Sequence, residues 1–515
     1  MTPANPSRDK GMALIHTCNA KEASVPTRAL SAVAGLLSRA TMQKTLWLSA
    51  LPLLLAVTAV ASEPLLVNVV SIPGDSIDAR KLKPGETSGA NVNRLGFFSD
   101  LFYDRKTGYW YALSDRGPGG GLLEYATRVQ RMRIPVNRHT GVVGTPVIDR
   151  TILFKDADGK PFSGQNPELL NGDKSVLGLS FDPEGIVVGR GGYLFVADEY
   201  GPSLYEFSPR GRFLRAFKIP DNLKPKESDG TPNYLDDRTR ITSGRQDNRG
   251  FEGLAINPAG TKLYGVLQDP LVNEGSNNDG RRSRNVRLVE FDIATGQSTA
   301  QYIYQLESIT TLNNITPDTA DDFSATSQGR NIGVSAIVAI NSTDFLVLER
   351  DNRGLGIEVT PTPVHKRIYR ISLRDATDVQ DISLANSDDL PSGVIPVSKE
   401  PFIDVLAQLT RAEQTVPEKL EGLAIGPRLA AGSYAILLGT DNDYSVTQTG
   451  AGEQFNVCVD TTGTLRDDQV SIDKGCPENL ALIPGFLMSF KGTIKGYQPA
   501  RHVHEKDVDD DDIED

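Results

Sequence analysis

Acidic side chains recur at equivalent points of a repeated pattern in this chain, together with arginines. Glu184, Glu252 and Glu421 each precede a glycine and open an apolar run. Asp115, Asp198, Glu199, Asp269, Glu349, Asp351, Asp441 and Asp443 close the apolar run that follows. Carboxylates gathered at one place repel and raise one another's pKa unless a cation joins them. Hard divalent cations take six to eight oxygen ligands in the case of Ca²⁺, at irregular geometry. Arg116, Arg249, Arg350 and Arg353 lie beside the same motifs. Guanidinium groups next to a metal would suit a phosphorylated or carboxylated ligand. The expected metal ligands are therefore Glu184, Glu252, Glu421 and Glu349, with Ca²⁺ as cofactor. Asp198 and Asp441 are expected as ligands or general bases, and Arg116, Arg249 and Arg350 as the anion-holding groups. The alternative is structural: the glutamates bond to backbone amides of neighbouring units and the aspartates cap turns.

The pattern that carries these residues occurs five times. The copies open at Ser99, Glu184, Glu252, Ser335 and Glu421, 68 to 86 residues apart. Phe251-Glu252-Gly253-Leu254-Ala255-Ile256 and Leu420-Glu421-Gly422-Leu423-Ala424-Ile425 are near-identical. Further strand-like segments follow each copy, such as Arg128–Ile134, Ser203–Phe207, Val286–Phe291 and Arg367–Ile371, rich in β-branched and aromatic residues between turns. Four strands per unit, repeated radially, predict an all-β fold, a single β-propeller. The fifth unit lacks a fourth strand, and Leu65–Val70 has no unit of its own. That stretch is expected to complete the last blade and close the ring, giving five blades. The spacing exceeds the roughly 40–50 residues of compact propeller repeats, so six is the alternative if a long loop hides a blade. In a propeller, one repeat position becomes a ring around the central channel, and an inner strand's start lies beside its antiparallel neighbour's end.

The ends of the chain are of another kind. Lys44 precedes an apolar run from Leu46 to Val60, and Ala59-Val60-Ala61 fits a cleavage site. Residues 1–41 are expected to be a non-native or cleaved extension, 42–61 a signal peptide, 62–500 the propeller and 501–515 an acidic tail. The apolar run is short and interrupted for a membrane span; a retained anchor is the alternative. Removing residues 1–61 takes the net charge from −12 to −16, which disfavours nucleic acid as a partner. A monomer acting on a small ester or phosphoester, in the periplasm or outside the cell, is expected. Cys458 and Cys476 remain as an isolated pair in an exported chain, for which a disulfide is expected; two free thiols are the alternative.

Other chemistries lack their residues. There is no Gly-x-Ser-x-Gly elbow and no phosphate-binding Gly-Lys-Ser/Thr loop. Few histidines and cysteines disfavour zinc. His365 is the one histidine considered for acid–base work. Asp156-Ala157-Asp158-Gly159 opens like a calcium loop, but Pro167 stands where the twelfth-position glutamate belongs, so a turn is expected.

Several motifs resemble a known family. They are Tyr111-Ala112-Leu113-Ser114-Asp115-Arg116-Gly117, Asp182-Pro183-Glu184-Gly185-Ile186, Leu194 to Gly201, Ser203 to Phe207 and Val347-Leu348-Glu349-Arg350-Asp351, with the two Glu-Gly-Leu-Ala segments. Together they resemble the phytase-like family, also called esterase-like activity of phytase, over roughly residues 90–490. The resemblance implies a propeller, export, and hydrolysis of phosphate or carboxylic esters. A metal-assisted hydrolase is expected, with a non-catalytic propeller that binds a ligand or protein at the same mouth as the alternative. Amino-terminal sequencing of the exported protein is expected to begin near Ser62; an intact 1–61 segment would overturn the leader reading.

Overall fold

The computed structural model describes residues 62–500 apart from 236–237, 316–318, 450–451 and 461–463. The expected leader, signal peptide and acidic tail lie outside the described residues. Among those described, no helix is long and apolar enough to cross a membrane.

Among the described residues, twenty-four strands follow in chain order. β1 is Leu65–Ile72. Blade one is β2 (Asp100–Tyr103), β3 (Trp110–Leu113), β4 (Arg128–Arg133) and β5 (Val147–Leu153). Blade two is β6 (Pro183–Val188), β7 (Leu194–Asp198), β8 (Ser203–Phe207) and β9 (Phe213–Ala216). Blade three is β10 (Phe251–Ile256), β11 (Lys262–Leu267), β12 (Asn285–Asp292) and β13 (Gln297–Gln305). Blade four is β14 (Ile332–Ala339), β15 (Asp344–Asp351), β16 (Lys366–Ser372) and β17 (Ser398–Asp404). Then come β18 (Leu420–Arg428), β19 (Tyr434–Thr440), β20 (Val446–Thr449), β21 (Glu453–Val459), β22 (Leu465–Ser471), β23 (Ala481–Leu482) and β24 (Gly485–Gly492).

Blades one to four pair their strands in sequence order, all antiparallel. Blade five has the order β18-β19-β24-β1, so the N-terminal strand is its outermost member. The expected closure is therefore present. A short helix, Val405–Arg411, secures it. Asp404 caps the helix, accepting from Ala407 N at 3.0 Å. Gln408 then receives Leu66 N at 2.6 Å and donates to Pro64 O at 2.9 Å. The innermost strands pack in a cycle: β2 on β6, β6 on β10, β10 on β14, β14 on β18 and β18 on β2. Five blades fill the ring. The long loop of the fifth unit does hold a sheet, β20–β23, but none of its strands joins the cycle.

The burial patterns explain the order. β3, β7 and β15 are buried along their whole length, as strands with both faces packed must be. The outermost strands β5, β9 and β17 are largely exposed or half-buried. The β20–β23 sheet is seated on rim loops. Tyr444, just before β20, packs edge-on against Tyr125 with ring centres 5.1 Å apart. Arg94 Nη1 donates to Tyr444 O at 3.1 Å and Asn456 Oδ1 at 2.8 Å. Cys458 and Cys476 are joined by a disulfide with a Cα–Cα distance of 5.9 Å. In the chain-entropy account such a link contributes roughly 3 kcal/mol. Asp156 Oδ1 accepts from Asp158 N and Lys160 N, the expected turn.

Glycine after the ring glutamates is a packing requirement. A Cβ on Gly185 would lie 2.7 Å from Leu254 N in the next inner strand; one on Gly422 would lie 2.7 Å from Phe98 Cβ. Inner strands can approach this closely only without side chains there. Blade one uses the position differently: Asp100 Oδ2 accepts from Ile186 N of blade two at 2.7 Å. Gly185→Ala is expected to cost about 1–3 kcal/mol, the range for overpacking, read as a lower Tm; an unchanged melt would show that the strands can move apart.

Candidate functional site

A β-bulge at one repeat position builds the centre of the ring. In β6 the register jumps from Pro183↔Asp198 to Gly185↔Ala197, and β10 jumps between Phe251 and Gly253. β14 jumps between Val334 and Ala336, and β18 between Leu420 and Gly422. The residues left over are Glu184, Glu252, Ser335 and Glu421. A bulge leaves one residue unpaired and re-aims its side chain. Ser99 holds the same place just before β2. All five are buried.

The three glutamates are treated unequally. Glu421 Oε1 accepts from Arg350 Nη2 at 2.6 Å, and Arg350 Nε also donates to Ser335 Oγ at 2.9 Å. Glu252 Oε1 accepts from Gln268 Nε2, but its Oε2 has no hydrogen-bond partner. Among the described residues the Glu184 side chain makes no hydrogen bond or ion pair; its electrostatic neighbours are Asp182, Glu252, Glu421 and Asp115. Burial, then these neighbouring charges, push its carboxyl well up. Burial is also the leading cause that raises Glu252 to about 8 and Glu421 to about 7.

A second tier comes from the ends of the neighbouring strands. Oxygens of Asp115, Asp182 and Glu184 lie within 4.8 Å of one another, as do those of Asp115, Asp441 and Asp443. Asp115 is the shared corner. Lys419 Nζ already sits on the latter group, 3.0 Å from Asp441 Oδ2 and 2.6 Å from Asp443 Oδ1. Arg116 donates from Nη1 to Asp182 Oδ2 at 3.0 Å and from N to Oδ1 at 3.0 Å. Arg249 Nε donates to Asp269 Oδ2 at 3.1 Å, and its Nη1 is 3.7 Å from Glu199 Oε1. Asn248, with a φ of 49°, bridges both cations: its side-chain oxygen takes Arg116 and its backbone oxygen takes Arg249.

The expected site residues divide on this geometry. Glu184, Glu252, Glu421, Asp441, Arg116, Arg249 and Arg350 come together. Asp198 is beside them but fully occupied: Oδ1 accepts from Asp182 N and Oδ2 from Gly201 N, both at 2.8 Å. It positions Asp182. Glu349 is elsewhere. It accepts from His365 Nε2, Lys399 Nζ, Tyr304 Oη and Glu307 N, all within 2.8 Å. Those donors come from the outer part of blade four and from blade three, and Lys399 leads the contacts that bring its carboxyl down to about 2. His365 has no exposed side-chain surface and its Nε2 is taken up by Glu349. Asp351 likewise pairs with buried Lys366 at 2.8 Å. Asp182 and Lys419 were not singled out by the sequence analysis. Each lies two residues before a ring glutamate, and the two-residue period of a strand would have pointed to them.

A family model described as phytase-like, esterase-like activity of phytase, matches residues 93–444. The chain belongs to the phytase-like family. The match covers the blade-one to blade-five inner strands and every residue of the ring. This phytase-like chain is also 28% identical over 469 residues to an uncharacterized secreted protein of Arthroderma benhamiae, covering 76% of this chain and 88% of that relative. Among solved structures, the propeller of Dos1 is 8% identical with a TM-score of 0.24, covering 79% of this chain and 70% of that one. Virginiamycin B lyase from Staphylococcus aureus is 8% identical with a TM-score of 0.26, covering 76% and 78%. Scores this low add nothing to the fold read from the strand pairing.

The raised carboxyls set a pH dependence for the cation-free protein. Unfolded, these groups ionise near pH 4. Folded, Glu252 holds its proton to about pH 8, and Glu421 and Asp198 to about pH 7. The native state therefore binds more protons between those values, and stability falls as pH rises through that window. Melts in chelator at pH 5, 6.5 and 8 are expected to show a falling Tm; a flat or rising Tm would contradict the assignment.

Proposed function

We propose that this phytase-like protein is exported and hydrolyses phosphoesters or carboxylic esters at its acidic mouth with the help of a calcium ion. The convergence of Asp115, Asp182 and Glu184, with Glu184 lacking any donor, carries the reading. All three offer oxygen, and no histidine or cysteine joins them, so the donor set fits a hard divalent cation. Asp115, Asp182 and Glu184 would hold it. Glu252 and Glu421 stand next to it as further acceptors. When bound, the ion supplies Lewis acidity at a phosphoryl or carbonyl oxygen and lowers the pKa of water.

The chain's own groups do the rest. Arg116 and Arg249 keep 19% and 21% of their side chains exposed, so their free N–H groups can hold the anionic part of a substrate. Arg350, at 9%, instead fixes Glu421 against Ser335. In the cation-free protein burial, then the Glu421 charge, pushes the Glu252 carboxyl up to about 8, and its Oε2, which has no hydrogen-bond partner, is an oxygen open to a cation. Asp441, beside Asp115, is a carboxyl placed to accept a proton. Asp198 positions Asp182 through its backbone N–H. The relative from Arthroderma benhamiae is described as secreted, and the Cys458–Cys476 disulfide suits an oxidising compartment. Both support export.

A binding role without catalysis is the second reading. It is favoured by the burial of all the ring acids and by the β20–β23 sheet packed on the rim loops. A screen of aryl phosphates, aryl esters, lactones and phytate, with Ca²⁺ or with chelator, separates the two. Calcium-stimulated turnover of at least one substrate is expected, falling at least about tenfold in Glu184→Gln, roughly the 1.4 kcal/mol of one charged contact. No turnover on any substrate, with no calcium retained on elemental analysis, would overturn the hydrolase reading.

A further inference from the structure

Asp115 belongs to two groups of three carboxylates, and one of the two already holds a positive charge. Asp115 follows β3 of blade one, which stands between blades five and two in the ring. On the blade-two side its partners are Asp182 and Glu184, and on the blade-five side Asp441 and Asp443; oxygens within each group lie within 4.8 Å of one another. A carboxylate shared by two oxygen-rich groups is the layout of a two-ion centre, in which neighbouring cations sit about 3.5–4 Å apart. The two sides differ at one repeat position. Two residues before the ring glutamate, blade two carries Asp182 and blade five carries Lys419. Asp182 adds a negative charge to its group. Lys419 brings Nζ 3.0 Å from Asp441 Oδ2 and 2.6 Å from Asp443 Oδ1, and Glu421 and Asp115 add to the negative field around it.

The local chain fixes the ammonium there. Leu420, the first residue of β18, pairs with Thr440, the last of β19, so Lys419 starts beside Asp441. Asp441 Oδ1 accepts from Asp443 N at 2.8 Å, and a φ of 48° at Asp443 turns the chain back toward the strand end. Two carboxylates of one short segment thus meet one side chain of the neighbouring strand. Asp115, the third, spends Oδ1 on Gly117 N at 2.8 Å. The blade-two side has no such filling: in that group Arg116 pairs with Asp182, and the Glu184 side chain is left without a donor among the described residues. An ammonium supplies charge and three N–H donors, but no open coordination position for a further oxygen.

We propose that Lys419 occupies the second cation position of the mouth as a built-in ammonium, so that the centre takes one divalent ion, on the Asp115–Asp182–Glu184 side, and not two. The count of one rests on the calcium reading of that side; the filling of the Asp441–Asp443 side by Lys419 does not. Lys419 is a positioning residue. It holds Asp441 and Asp443 against Asp115, and its charge stays in place when calcium is removed.

The test counts calcium. Full-length protein, stripped with chelator, is dialysed to equilibrium against about 1 mM free Ca²⁺, a concentration at which extracellular calcium modules fill, and bound metal is read by elemental analysis. Lys419→Met, a long side chain without the charge, is expected to hold one more Ca²⁺ per chain than wild type. Lys419→Arg, which keeps the charge, is expected to hold the same number as wild type. Comparing variants with wild type cancels any ion held by the acidic residues 507–515. An equal count in wild type and folded Lys419→Met overturns the proposal. If Lys419→Met does not fold, Asp443→Asn decides: its count is expected to equal that of wild type, because no metal stands there to be lost, and a count lower by one overturns the proposal. Glu184→Gln reports on the other side and is expected to lose one ion. No loss in Glu184→Gln together with a gain in Lys419→Met upholds the place of the ammonium and sinks the calcium reading of the Glu184 group. A loss in Glu184→Gln with no gain in Lys419→Met does the reverse.

Discussion

Five inner strands converge on one axis, and the closeness of that approach governs the rest of the molecule. Backbones at Gly185, Gly253 and Gly422 lie against the next blade with no room for a side chain. The bulge residue just before each glycine is turned toward the axis instead. Three of those bulge residues are glutamates. The same geometry that packs the ring therefore concentrates negative charge where water is scarce.

The surrounding residues answer that charge in a graded way. Blade four supplies Arg350 and a neutral Ser335, and blade five adds Lys419, so the Glu421 side of the ring is matched. Blade two supplies Asp182 and Glu184 together, with Arg116 reaching only Asp182. The imbalance at Glu184 is what a cation would relieve.

Not every repeated acid serves this centre. Glu349 and Asp351 end β15 as Asp115 and Asp198 end their own segments, yet they are consumed by His365, Lys366 and Lys399. Blade four is consolidated by these buried charge pairs, which are costly to break once formed. Asp100 and Asp198 likewise do structural work, stitching one strand to its neighbour through backbone amides. Repeat position tells where a side chain starts; its partners decide what it is free to do.

Periodicity is local, and local information was legible in the sequence. The five repeats, the closing strand Leu65–Val70, the Cys458–Cys476 pair and the convergence of Glu184, Glu252 and Glu421 all follow from spacing, because a radial repeat maps one position onto one ring. Asp182 and Lys419 were within reach of the same reasoning, two residues before their glutamates. What spacing does not carry is the identity of cross-blade partners. Lys399 is 50 residues from Glu349 and Arg350 is 71 from Glu421, and the bulges that re-aim the ring residues arise from pairing between strands. Whether a carboxylate is quenched, like Glu349, or left open, like Glu184, depends on which distant cation the closed ring brings within hydrogen-bond reach, and only the tertiary structure decided that.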